Sequence, residues 1–96
     1  MIKLFRIEGS SLFPLIKEGE VVFCQKVFFF NKIKLNDLVL FNHKTEGFMI
    51  KKVTNINNGK YFVKGESPFS IDSRTFGELN KNEILFKVIF KLPFNS

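Results

Sequence analysis

F-M-I-K-K-V-T-N-I-N-N-G-K-Y-F-V-K, residues 48–64, reads as two strands joined by a tight turn. Phe48 to Ile56 is built of β-branched and apolar residues interleaved with polar ones, and Tyr61 to Lys64 returns beside it. Between them, Asn57-Asn58-Gly59 supplies residues that accept the left-handed backbone of a hairpin turn. Side chains alternate along a strand, so Met49, Lys51 and Val53 share one face while Lys52 looks the other way with Ile50. The same pattern extends outward in both directions. Met1 to Ile7 reads as a strand, Val21 to Phe30 as a long apolar one, Leu38 to Asn42 as a third, and Ile84 to Leu92 as the last. Helix signals are confined to Leu12 to Ile16, where Pro14 limits any helix to about a turn. Gly65 to Gly77, rich in Ser, Pro, Asp and Gly, reads as an ordered loop. The pattern predicts one all-β domain over residues 1–96, without repeats, low-complexity tracts or an interdomain linker.

Composition agrees with one small core. Of 96 residues, 45% are apolar and 14 are Phe, enough for a single packed interior and too few residues for two. Fifteen Lys and Arg against nine Asp and Glu give a net charge of +6, which favours anionic partners. The lysines are spread along the chain as on the solvated faces of strands, so the charge reads mainly as surface. Cys24 is the single cysteine and cannot form an intramolecular disulfide. With only Cys24 and His43 as soft or borderline ligands and no ligand spacing, no metal or other cofactor is expected, and His43 reads as a surface loop residue. No apolar run is long enough for a transmembrane helix, and the N-terminus lacks the layout of a signal peptide. The expected location is cytoplasmic or peripheral to a membrane.

Three further stretches carry chemistry. G-S-S-L-F-P-L-I-K-E-G-E from Gly9 resembles the nucleophile box of signal peptidase I and its relatives, with Gly9, Ser11, Pro14, Ile16 and Gly19 in register. Leu12 stands where the family usually has Met and Glu20 where it usually has Asp. F-M-I-K-K-V resembles the box of the general base and places that base at Lys51, 40 residues after Ser11, with Lys52 in place of an Arg. V-K-G-E-S-P-F-S-I-D-S-R-T-F-G resembles the last box, with Ser70, Asp72, Ser73, Arg74, Phe76 and Gly77 in register. Asn36-Asp37-Leu38-Val39 is a fainter echo of a Gly-Asp pair followed by a strand, its glycine replaced by Asn36. The resemblance covers most of the chain. It implies a compact signal peptidase/LexA-like β-barrel of antiparallel strands, with at most one short helix after the nucleophile.

It also implies a serine endopeptidase working through a Ser11/Lys51 dyad. A serine hydroxyl attacks poorly until a base takes its proton, and a lysine can do so near neutral pH only as the neutral amine. An apolar site favours that form, and Met49 and Val53 flank Lys51 on its face. By the same carry-over the backbone N–H of Ser11 forms part of an oxyanion hole. Gly9 stands where some members have an assisting serine, so backbone amides or Ser10 must complete it. Ser70 would hydrogen-bond and orient the Lys51 amine, and Asp72 and Arg74 would pair to hold the loop. The structural alternatives are a Lys51 reaching past apolar neighbours to water, a Ser11 capping a short helix, and a loop of ordinary Ser and Asx turns. The order and register of three boxes favour the protease.

The expected partner is an extended peptide or precursor protein, bound as an added strand and cut after small residues. Val27-Phe28-Phe29-Phe30 cannot all point inward on a sheet buried on one face, so its outward members are expected to meet a membrane or membrane protein, flanked by Lys26, Lys32 and Lys34. An autoproteolytic repressor of the LexA-like group is disfavoured, because no DNA-binding segment precedes Gly9. A catalytically silent module and a small barrel binding single-stranded nucleic acid through Lys and Phe are the competing classes. Nucleic acid is not the expected partner, because it leaves the register of Ser11, Lys51 and Ser70 unexplained.

Overall fold

The computed structural model of the chain describes residues 1–7, 19–28, 32–43, 47–65 and 77–92. Its strands are β1 (Ile2–Arg6), β2 (Val21–Lys26), β3 (Leu38–His43), β4 (Gly47–Asn57), β5 (Lys60–Lys64), β6 (Leu79–Asn80) and β7 (Ile84–Leu92). One turn of 3-10 helix, Lys81–Glu83, leads into β7. All pairings are antiparallel and form one sheet in the order β1-β2-β7-β3-β4-β5-β6. The all-β domain expected from strand periodicity is therefore what forms. Among the described residues, no helix is long and apolar enough to cross a membrane.

The β4–β5 hairpin closes through a two-residue loop in which Asn58 (φ 51°) and Gly59 (φ 75°) are both left-handed. That is the type I′ geometry whose twist matches the flanking strands. A second turn fixes β4 against β3. Asp37 Oδ2 accepts from the Lys34 backbone N–H at 2.8 Å. Asn36 takes φ 73°, which asparagine tolerates better than most residues. From that turn, Asn36 N–H donates to the Val53 carbonyl and Val53 N–H to the Asp37 carbonyl, each at 2.8 Å.

β3 lies between β7 and β4 and is buried on both faces, which explains its unbroken Leu-Val-Leu-Phe run. Val39 and Phe41 enter one apolar cluster with Val53, Val63 and Ile84. Leu40 enters the other with Ile7, Val22, Cys24 and Phe86. Ile84 and Phe86 are two apart yet serve opposite faces, because the register steps from Leu40↔Phe86 to Phe41↔Ile84 and Leu85 is the bulged residue.

Three expectations change in detail. The long strand from Val21 ends at Lys26, not Phe30, although Val27 N–H still donates to the Leu85 carbonyl at 2.9 Å. His43 ends β3 and is not in a loop. Strand β6 and the 3-10 turn were not anticipated: their five residues are mostly polar, and only Leu79 is buried. The short helix expected over Leu12 to Ile16 and most of the Gly65 to Gly77 loop lie outside the described residues.

Candidate active site

Strand alternation and the Asn36-Asp37 turn together set the environment of Lys51. It pairs with Val39 across β3–β4 and shares the face of Val39 and Val53, with 2% of its surface exposed. Met49, next on that face, packs against the same cluster. Lysine is almost never buried this far without a specific reason. Lys51 is not without a partner. Lys52 follows on the opposite face, half-buried, opposite Leu38 on one side and Lys64 on the other.

Gly9, Ser10, Ser11, Ser70, Asp72 and Arg74 lie outside the described residues. The points from which the chain departs toward them are described. Ile7 N–H donates to the Glu20 carbonyl and Gly19 N–H to the Ile7 carbonyl, each at 2.8 Å, so the chain on either side of residues 8–18 meets at one place beside the sheet. Glu20 itself is 4% exposed, and its carboxylate lies 3.5 Å from the Lys91 ammonium. In the sequence it was only an Asp replacement; in the fold it is a paired carboxylate at the end of the Val22 cluster.

The sheet curls until β1 stands across a groove from the first half of β4. The groove has a volume of about 220 Å³ and is lined by Phe5, Arg6, Ile7, Leu40 and Phe48 to Ile50. Phe5 stacks on Phe48 at 5.3 Å with 28° between the rings and meets Phe86 edge-on at 5.2 Å. Among the described residues, both banks are open strand edges. β1 pairs only with β2, and β4 pairs with β5 only from Lys52 onward, so among the described residues no strand covers that side of Gly47 to Lys51. Alternate backbone N–H and C=O groups of such an edge remain available to an added strand. No local signal in the sequence could have revealed this groove, because Phe5 and Phe48 meet only when the sheet curls.

The Val27 to Phe30 patch is divided. Val27 packs inward against the Val39 cluster, and Phe28 is 41% exposed with the Lys26 ammonium 5.8 Å from its ring centre. Phe29 and Phe30 lie outside the described residues. A second apolar surface lies elsewhere. Leu4, Phe23 and Phe90 form one row across β1, β2 and β7, with Val21 and Leu92 in the next. Leu4 is 56% and Phe90 57% exposed, and Phe23 meets Phe90 edge-on at 5.7 Å.

Among the described residues, no three His, Cys, Asp or Glu side chains gather as metal ligands. No protein-family model matches the chain, and no curated protein matches it.

Proposed function

We propose that this chain is a serine endopeptidase of the signal peptidase I type, in which Lys51 serves as general base for Ser11. The observation that carries the reading is a lysine buried on an apolar strand face, on a strand whose edge no described residue covers there and whose other face borders a groove. Apolar surroundings favour the neutral amine that a base must be. Lys51 takes the Ser11 proton as the hydroxyl attacks the scissile carbonyl, then delivers it to the leaving amine. Water, activated by the same amine, hydrolyses the acyl-serine. The Ser11 amide and Ser10 serve the oxyanion, Ser70 orients the amine, and Asp72 with Arg74 braces the loop. An extended peptide lies along the open edge of β4 and is cut after a small residue.

The second part of the proposal concerns place. The row of exposed Leu4 and Phe90 with half-buried Phe23 between them rests on an anionic membrane or a membrane protein, and the chain's net charge of +6 suits that surface.

Cleavage of extended peptides with Ala or Gly before the cut tests the reading. Ser11→Ala, Lys51→Ala and Lys51→Arg should each lower turnover by about a thousandfold or more, since dyad members act as a unit and a guanidinium stays protonated. Lys52→Ala, on the other face, should retain measurable turnover. In the wild type the rate should rise with pH as the amine loses its proton. Undiminished cleavage by Ser11→Ala sinks the proposal. So does tight binding of single-stranded nucleic acid with no peptide cut, which would install the nucleic-acid module instead.

A further inference from the structure

A hollow that shares no residue with the groove beside β4 lies at the start of β7. Strand β2 stops at Lys26, and Val27 N–H donates to the Leu85 carbonyl at 2.9 Å, so the chain runs on beside β7 without becoming a strand. The 3-10 turn Lys81–Glu83 delivers the chain to Ile84. Between the two is a cavity of about 390 Å³ walled by Val27, Phe28, Ile84 and Leu85. Val27 and Ile84 seat it on the Val39 cluster, while Phe28 and Leu85 are partly open to solvent, at 41% and 36%. Leu85 is available as a wall because it is the bulged residue of β7.

The rest of the lining carries charge of one sign. Lys26 and Lys81 border the cavity together with the Asn82 amide, and no carboxylate is among the described lining residues. Glu83, the acid of the adjoining turn, is directed back along that turn, where its Oε1 accepts from the Asn80 N–H at 2.7 Å. The Lys26 ammonium lies 5.8 Å from the centre of the Phe28 ring, which sets positive charge beside an apolar wall. Such a lining suits a molecule with an apolar body and one anionic head. The body takes the walls out of water, and the head accepts charge-assisted hydrogen bonds from the ammonium groups. A cation would be repelled, and a polyanion would leave the walls unused.

Size sets the length of the body. A cavity of about 150 Å³ takes up benzene, and small-molecule sites span about 300–1,000 Å³. At about 390 Å³, this one has room for a body longer than a single ring. We propose that the hollow binds a medium-chain fatty carboxylate of about eight to ten carbons, its chain against Val27, Ile84 and Leu85 and its head held by Lys26 and Lys81. The peptidase reading uses none of these residues, so the two stand or fall separately.

Decanoate tests the site. It is titrated into the full chain without lipid and below its micelle-forming concentration, beside decanol and decylammonium as the uncharged and cationic counterparts. Calorimetry reads affinity, and methyl NMR shifts read place. Decanoate should saturate one site and bind at least about tenfold more tightly than decanol, the scale of one hydrogen bond to a charged group. It should shift the Val27, Ile84 and Leu85 methyls and leave those of Leu4 and Leu92 in place, and decylammonium should not saturate. Lys26 is exposed and Lys81 half-buried, so changing both to Gln spares the core. The Lys26→Gln, Lys81→Gln double variant should bring decanoate down to the affinity of decanol while decanol itself binds as before. Equal affinities for decanoate and decanol, shifts centred on Leu4 and Leu92, or a double variant that holds decanoate as the wild type does overturns the site. So does a short peptide ending in a Phe carboxylate that binds more tightly than decanoate, which would assign the hollow to a protein C-terminus.

Discussion

Lys51 and Cys24 are buried to almost the same degree, at 2% and 0% exposed, and low-dielectric surroundings disfavour the charged form of each. For the lysine that form is the ammonium, so burial favours a base. For the cysteine it is the thiolate, so burial favours an inert thiol: the Cys24 pKa is pushed up to about 11. The sign fixes two consequences. Because the folded value lies above the ordinary one of about 8.5, the stabilising effect of this thiol is complete below that pH and is lost as pH rises toward 11. Native protein at pH 8 should react with iodoacetamide about a hundredfold or more slowly than protein unfolded in denaturant. Unfolding midpoints should fall more steeply between pH 9 and 11 in the wild type than in Cys24→Ala. Rapid native alkylation would show that the β2 cluster opens readily.

At the scale of elements, the legible parts of the chain were those whose signals are local. The Asn58-Gly59 turn, the β4 and β5 strands and the bounds of β7 follow from alternation and turn chemistry within a few residues. What alternation could not show is where it is interrupted. Leu85 is bulged, so Ile84 and Phe86 part company, and Val27 enters the core beyond the end of its strand. An apolar run announces burial, not the element that achieves it. The hairpin offers a clean test, since a Cβ added at Gly59 would meet nothing within 4 Å and any cost is backbone strain at φ 75°. Gly59→Ala should destabilise by about 1 kcal/mol, lowering Tm by roughly 4–8 °C in a domain of this size. Gly59→Asn should cost less, because asparagine tolerates the left-handed region. Equal losses for the two would mean that something other than φ sets the penalty.

Over the whole molecule, surfaces are assembled from distant stretches, which is why the run Val27 to Phe30 was legible in the sequence and the apolar row shared by β1, β2 and β7 was not. Lys51 was legible because its burial depends on alternation within one strand; the groove beside it depends on β1 meeting β4 across the sheet. The face of the sheet that carries the Val39 cluster over β3, β4 and β5 continues to Leu4, Phe23 and Phe90, where no described residue covers it. Docking of this face on an anionic bilayer should have two separable components. Burying an apolar side chain contributes about 1.5–3 kcal/mol, so Leu4→Ser with Phe90→Ser should weaken binding to phosphatidylglycerol vesicles by at least about a hundredfold. The cationic component is long-ranged and screened, with a Debye length of about 8 Å at physiological salt and 3 Å at 1 M. Raising salt should therefore reduce the preference for phosphatidylglycerol over phosphatidylcholine while leaving the effect of the double substitution in place. Vesicle flotation measures both. If the double variant floats as well as the wild type, or neither floats in low salt, the face serves a protein partner or none, and the membrane half of the proposal falls while the Ser11/Lys51 chemistry keeps its own test.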